Sequence, residues 1–456
     1  MNRRGLSALP PAVHVKASQI HGLIEDLDEF LAPYSKFFGE RSEPRETGCQ
    51  YAKGLIANLP RKSAEPMAEL FGKDRKTFQR FVGTNGWSDK EVRQAMARDL
   101  SQTLGHTDGI LVFDPSAFPK QGKDSVGVAR QWCGVEGKTD NCQVGCFVSY
   151  ASPHGSSLVD GQLYLPEDWA KDASMREKCH VPPAIRFQKK WEIADHMLQE
   201  IGPQFPHSRI LADAEFGRCG EFRDRLAEQK ESYLVDIPRD LEIRVYYGNF
   251  LMPAPTTPEK WAKAAMSRIW NRFNLRDTAR GVLLLEGIMT RVITRRKDKS
   301  SREEILVVKR EISTGELKFA LANGNRKVSL RRLLQDWSRR HTIEECFQRA
   351  KSDLGMDHYE VRSWIGWHHH ITMVMLALCF LEKEKIRKHR SFSPSDGFFT
   401  GLAHGRVNPT GFQGLGNSGR KSDEPSDKVF KSKVSACNTS KRIKIMQNGP
   451  SKALVN

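Results

Sequence analysis

Apolar residues recur along this chain with two different periods, and the change of period divides it. Ile20, Leu23, Ile24, Leu27, Phe30 and Leu31 repeat at i, i+3, i+4 and i+7 and predict an amphipathic helix. Glu43 to Leu59 predicts a second helix that stops at Pro60. Ser63 to Phe71, then Gly72, then Arg75 to Val82 have the form of a helix, a glycine turn and a basic helix, and Ser88-x-x-Glu91 is a capping box for a helix running towards Leu104. Beyond Gly109 the pattern turns to strands. Ile110 to Phe113, Gln143 to Ser149 and Gln162 to Leu165 are predicted strands, followed by a helix over Lys189 to Ile201, a strand Arg209 to Ala212, a helix Glu221 to Lys230 and a strand Ser232 to Ile237.

Further along, Leu283 to Leu285, Thr290 to Thr294, Ile305 to Val308 and Leu317 to Leu321 read as strands separated by the charged turn Arg295 to Ser300. Trp337 to Lys351 reads as one helix. The apolar run Ile371 to Leu381 is expected to be too short to span a bilayer. From about Ser391 to Asn456 no apolar period persists, so a basic, disordered tail is expected, with Lys441, Arg442 and Lys444 as unspecific DNA contacts.

Composition narrows the partner. In 456 residues, 72 Lys plus Arg against 55 Asp plus Glu give a net charge of +17, which favours a polyanion. The absence of a signal core after Met1 places the chain in the cytoplasm, at the nucleoid, with no membrane. Nine scattered Cys point to reduced thiols; Cys142-x3-Cys146 lacks a matching second pair and reads as a strand with small residues rather than a zinc site. His368, His369 and His370 point about 100° apart on a helix, so they cannot supply one tetrahedral site and are read as polar residues near the core or DNA.

Three acids stand where chemistry is expected. Asp114 and Asp213 each end an apolar strand, and Glu344 lies on the late helix with Arg340 at i−4 and Lys351 at i+7. A carboxylate between cations suits a divalent ion beside a phosphate backbone; the bland alternative is a solvated helix face with weak ion pairs. Glu215 and Asp236 are competing ligands, kept outside the triad. On the basic helix, Arg75, Lys76, Gln79 and Arg80 either face a DNA groove or solvate a small bundle.

The order βββαβαβ is that of an RNase H-like core, and Trp337-x2-Arg340-x3-Glu344-x6-Lys351 resembles the Tyr-Arg-Glu-Lys signature of DDE transposases from bacterial insertion sequences, with Trp in place of Tyr. The blocks Asp124 to Gly134, Leu163 to Trp169 and Ala212 to Gly217 are similar to one subgroup of that family, and the likeness runs from about Tyr34 to about Leu381. The resemblance implies an α/β fold: a helical DNA-end-binding domain over 1–105, an RNase H-like core over 106–238 and 324–389, a β-rich insertion over 239–323, and the tail from 390. It implies Asp114, Asp213 and Glu344 as catalytic ligands of two Mg²⁺, with Mn²⁺ substituting. Arg340, Lys351 and Trp337 are then expected on DNA, Trp337 through its indole N–H or ring face, with core packing on Leu333 and Leu334 as the alternative. Trp261 and Trp270 are stacking candidates or insertion core. The implied partners are double-stranded DNA, as transposon ends and target, and a second copy in a dimer assembled on DNA. Two other functions stay open: a sequence-specific DNA-binding protein that no longer transposes, and an RNase H-like nuclease that cuts without joining.

Overall fold

The computed structural model describes residues 17–391 except 267–268, 279–280, 297–299, 313 and 325–327; the expected tail lies outside the described residues. The described residues open with five α-helices, α1 (Ala17–Ser35), α2 (Ser42–Ile56), α3 (Ala64–Phe71), α4 (Arg75–Gly83) and α5 (Asp89–Leu104). Their ends follow local chemistry. Gly72 adopts φ 62° and closes α3, the Asp74 carboxylate caps α4 by accepting the Lys76 N–H, and the Ser88 hydroxyl accepts the Glu91 N–H at the start of α5.

Strands β1 (Ile110–Pro119), β2 (Ala129–Cys133), β3 (Lys138–Ser152) and β4 (Gly155–Leu163) follow. The short helices α6 (Glu167–Lys171) and α7 (Ala173–Lys178) lead to α8 (Lys190–Ile201). Next come β5 (Arg209–Ala212), α9 (Ala214–Gly217), α10 (Gly220–Glu228) and β6 (Tyr233–Asp236). Residues 239–323 then contribute β7 (Arg244–Tyr247), β8 (Phe250–Leu251), α11 (Pro258–Ala264), β9 (Asn271–Thr278), β10 (Gly281–Arg295), β11 (Ser301–Glu311) and β12 (Leu317–Ala322). The described chain ends with α12 (Leu330–Ser338), α13 (Thr342–Ser352) and α14 (Trp364–Ser391).

All twelve strands join one mixed sheet. β3 is flanked by β2 and β4 on one side and by antiparallel β1 on the other; β5 and β6 then continue parallel to β1. The later strands do not close on themselves. β12 pairs antiparallel with β6, β11 with β12 and β10 with β11, so they widen the central sheet, and β7 and β9 share the outer edge of β10. A buried ionic network ties this extension to the centre: Arg223 Nε donates to Glu304 at 2.9 Å, Tyr233 Oη donates to the same carboxylate at 2.6 Å, and Thr294 joins it. Such groups are tolerable in the interior because each charge meets its partner there.

α14 is the hub. It packs on β4, α5, α4, α2 and α13, and Ile371 to Phe380 are buried. Trp364–Arg387 is long and apolar enough to cross a membrane, longer than the run read from the sequence, but 89% of its apolar window is buried inside this fold. One continuous hydrophobic cluster includes Leu31, Phe81 and Leu100 of the first helices together with Val112, Phe147 and Leu376. Each such side chain contributes roughly 1.5–3 kcal/mol by leaving water. The three His are buried: His368 meets the Trp364 carbonyl of its own helix and accepts the Leu163 N–H of β4, His369 stacks on Trp87 at 3.8 Å with its ring nitrogens on the carbonyls of Val82 and Trp87, and His370 meets Tyr51 Oη at 2.8 Å.

Three local expectations need correction. Trp337 to Lys351 is not one helix, because the Ser338 and Thr342 hydroxyls donate to the Gln335 and Arg339 carbonyls and divert the backbone between α12 and α13. β1 does not end at Asp114 but runs five residues beyond it to Pro119, continuing its pairing with β3 as far as Cys142. The third strand begins at Gly155 rather than Gln162; its polar positions Ser157 and Asp160 are buried, which hid the strand from an apolar pattern. Cys142 and Cys146 are buried on β3, and the eight described Cys are free thiols.

Candidate active site

Backbone register builds the first part of the site. Phe113 pairs with Ala212 and Ala212 with Val235 across the parallel strands β1, β5 and β6. The residue after each of these three is an aspartate, inside β1 and β6 and immediately after the end of β5, so Asp114, Asp213 and Asp236 stand side by side, since equal register gives equal orientation. Gly217 permits the close approach of α9 to β6, because a Cβ there would lie 1.8 Å from the Asp236 carbonyl oxygen. Asp213 also caps α9, accepting the Glu215 and Phe216 N–H groups at 3.0 and 3.2 Å.

The second part comes from the turn between α12 and α13. Arg340 places Nη2 3.1 Å from Glu344, Nε 3.1 Å from Asp236 and Nη1 3.9 Å from Asp114, so one guanidinium links three acids. Glu344 itself is open, with 57% of its side chain exposed. Lys351 lies over the Phe118 ring and donates to the Ala117 carbonyl at 3.2 Å. Asp114, Asp213, Glu344 and Lys351 line one cleft of about 380 Å³, joined there by Glu215, Lys190 and Trp132; Lys190 pairs with Glu215 at 2.7 Å.

Trp337 is elsewhere. Only 2% exposed, it packs with Leu333, Leu334 and Leu234, and its indole N–H donates to Asp236 at 2.5 Å. The break after α12 means that Trp337 shares no single helix with Glu344; its ring packs as the core alternative expects, while it also lines a second cavity with Arg340 and Glu344. Lys309 sits 4.0 Å from its ring centroid, and burial pushes that ammonium down to about 8 despite Asp236 nearby. Trp261 and Trp270 pack against the main core, and Arg310 covers the Trp270 ring. Arg75, Lys76, Gln79 and Arg80 are all exposed on α4 and are not among the residues lining the cleft.

Crowded carboxylates set the electrostatics. Burial, then the neighbouring Asp213, holds Asp114 well above the usual carboxylate range in spite of Arg340. Burial raises Asp213 to about 6 although the Phe216 N–H opposes it, and burial raises Asp236 against the pull of Arg340 and Lys309. The donor set is one of hard oxygens in want of positive charge, which fits a hard divalent cation such as Mg²⁺. Among the described residues no three acids are already disposed as a closed metal cage; Glu344 is turned onto Arg340.

The family model for DDE superfamily endonucleases matches residues 33–268, more than half of the chain. This chain belongs to the DDE superfamily endonucleases. The match takes in Asp114, Asp213 and Asp236 and stops before Glu344. The chain is also similar, at 26% identity over 187 residues, to a protein of Microchaete diplosiphon described as the probable transposase for insertion sequence element IS701; the similarity covers 40% of this chain and 46% of that relative.

The sequence marks Asp236 only as a competing ligand outside the triad and carries no role for Lys190 or Lys309. The Asp236 signal was present: Tyr233 to Val235 is the same buried run before an acid that marked Asp114 and Asp213. For Lys309 the sequence carries no signal, because its place depends on β11 joining the sheet beyond β12.

Proposed function

We propose that this DDE endonuclease is the transposase of an insertion sequence, cutting the element's ends and joining them to target DNA by metal-dependent phosphoryl transfer. The observation that carries the reading is that Asp114 and Asp213 each directly follow the paired residues Phe113 and Ala212 of β1 and β5, with Glu344 at the same cleft. In this reading strands β1 to β6 with α8 and α10 are an RNase H-like core. Asp114, Asp213 and Glu344 would hold two Mg²⁺, or Mn²⁺, which when bound supply a polarised water or 3′-hydroxyl and stabilise the departing 3′-oxygen.

The chain's own groups do the rest. Arg340, released from Glu344 when that carboxylate turns to the ions, would clamp a phosphate in two-pronged fashion while Asp236 keeps its Nε side fixed. Lys351 and Lys190 would neutralise backbone on the cleft's other walls. Arg75, Lys76, Gln79 and Arg80, all turned to solvent, would bind the terminal repeats. Cutting two ends in concert implies a homodimer assembled on DNA.

The test is direct. Purified protein is mixed with a duplex carrying the terminal inverted repeat found beside its coding region and with a supercoiled target plasmid. Cleavage at the repeat boundary leaving a 3′-hydroxyl, followed by insertion into the plasmid, is expected in Mg²⁺ and absent in EDTA. Tight binding with no cutting in Mg²⁺ or Mn²⁺ would leave a DNA-binding protein, and cutting with no joining would leave a nuclease.

A further inference from the structure

One wall of the acid cleft is apolar and faces solvent. The β2–β3 hairpin carries Trp132 and, in its turn, Val135, which are 61% and 60% exposed, and both line the cleft beside Asp114, Asp213 and Glu344. An open indole forgoes much of the burial that large aromatics normally obtain, so its place needs a reason.

The hairpin is built to hold that ring still. Cys133, next along β2, points to the opposite face and is fully buried with Ala117, Cys142 and Val144. Gln131 Nε2 donates to the Cys142 carbonyl at 2.9 Å, Glu136 N–H donates to the Cys133 carbonyl at 3.0 Å, and Gly137 turns the chain at φ 62°. Pairing with β3 and these flanking bonds fix the Trp132 backbone, and an aromatic on a fixed backbone loses little entropy on meeting a ligand.

We propose that Trp132 is a stacking site for the nucleobase next to the scissile phosphate. The inference rests on the DNA-cleavage reading above. Carboxylates and cations in this cleft provide for phosphate and metal, and none of them offers a flat apolar face; the base attached to that phosphate needs one, and Trp132 supplies it. Trp132 has only its indole N–H for polar recognition, so the contact would be tolerant of sequence, setting the position of the strand rather than reading it. Val135 would cover the edge of the same base.

The experiment uses the full chain and terminal-repeat duplexes with 2-aminopurine placed in turn at the two nucleotides flanking the cut. In metal-free buffer, wild-type binding should quench the probe at one of these positions. Trp132→Ala should lose that quenching and, in Mg²⁺, cut roughly 5- to 100-fold more slowly at an unchanged melting temperature, while Trp132→Phe keeps most of both. The salt dependence of binding should not change, because no phosphate contact is removed. Wild-type quenching and cutting by Trp132→Ala would overturn the proposal. So would a shift from dimer to monomer in DNA-free Trp132→Ala with quenching intact, which would assign the ring to a second copy of the chain. If the wild-type protein neither binds nor cuts these duplexes, the nuclease reading itself falls, a distinct outcome from binding and cutting without dependence on Trp132.

Discussion

Two halves of the acid cluster are held by different means. Asp114, Asp213 and Asp236 are positioned by backbone hydrogen bonds across three adjacent strands, and no side-chain rotation can take their Cα atoms out of line. Glu344 starts a helix that follows a broken turn, is half open to solvent, and is held by Arg340 alone among the contacts described for its carboxylate. The strand half bears the cost of charge crowding, since burial and mutual repulsion raise its acids. The helix half, more than half exposed, keeps freedom to turn. Under the proposed reading, a site that accepts metal and a long polyanion would use both properties, a fixed floor and one movable carboxylate.

The largest expected effect breaks that comparison on stability while leaving it intact on chemistry. Asp114→Asn, Asp213→Asn and Glu344→Gln should each lower Mg²⁺-dependent end cleavage by roughly a thousandfold or more, the loss of several kcal/mol of charge stabilisation, with DNA binding retained. In EDTA the variants should diverge. Removing a crowded buried charge should raise the melting temperature of Asp114→Asn and Asp213→Asn by about 1 kcal/mol or more of stability. Glu344→Gln should melt like the wild type. Equal melting shifts for all three in EDTA would show that the halves do not differ in this way.

Arg340 joins the halves, so its removal should affect both. Arg340→Gln leaves Asp236 without its only described ion pair and takes positive charge from Asp114. Metal-free protein should lose up to about 3 kcal/mol, at the low end for breaking an ion pair because the guanidinium is 21% exposed. Mg²⁺ should recover part of this by supplying the missing charge, so the variant's melting temperature should rise more with Mg²⁺ than the wild type's. An identical Mg²⁺ response in the two proteins would mean that Arg340 does not offset the acids.

The contrast also explains what the sequence disclosed. Asp114 and Asp213 were legible because each follows a short buried run, and a run of apolar residues before an acid survives errors in strand length. Asp236 follows an equal run, but parallel pairing with β5 is a long-range fact that a local pattern does not contain. The helix half was legible only as spacing. Arg340 and Glu344 do meet, and Trp337 lines a cavity with both, but two hydroxyls redirect the chain at Ser338 and Thr342 and the Trp337 ring packs on Leu333 and Leu334. The strands over 239–323 were visible one by one, whereas their pairing onto β6 rather than into a separate barrel or sandwich was not, since edge strands carry no mark of the neighbour they choose.

A smaller effect is expected from Trp337, which touches both halves through Asp236. Trp337→Phe should cost about 1–3 kcal/mol of stability by leaving the half-buried Asp236 carboxylate without its indole donor and a small cavity beside Leu333 and Leu334. Because Asp236 orients Arg340, cleavage should also fall at saturating DNA, and Trp337→Tyr should rescue cleavage in part if its hydroxyl reaches Asp236. Loss of stability in Trp337→Phe with kcat untouched would make Trp337 a core residue with no bearing on the site.

The smallest expected effect tests how firmly the strand half is held at its far end. His207 precedes β5 and Glu231 precedes β6, and the two side chains meet at 3.1 Å with the other ring nitrogen 2.7 Å from the Phe205 carbonyl. Burial pushes the imidazole down, but both nitrogens face acceptors, from Glu231 and from Phe205, and the net result is a pKa above the usual histidine value. A histidine raised by folding stabilises the protein fully below its unfolded value near 6.5 and loses that contribution as pH rises through the folded value. The wild-type melting temperature should therefore decline as pH rises above about 6.5 by an amount worth at most about 1 kcal/mol, Glu231 being partly exposed. His207→Gln should remove this slope and leave metal-dependent cleavage unchanged at pH 8. If the slope persists in His207→Gln, some other titrating pair fastens the entry of β5 to that of β6, and the alignment of Asp213 with Asp236 does not depend on this clip.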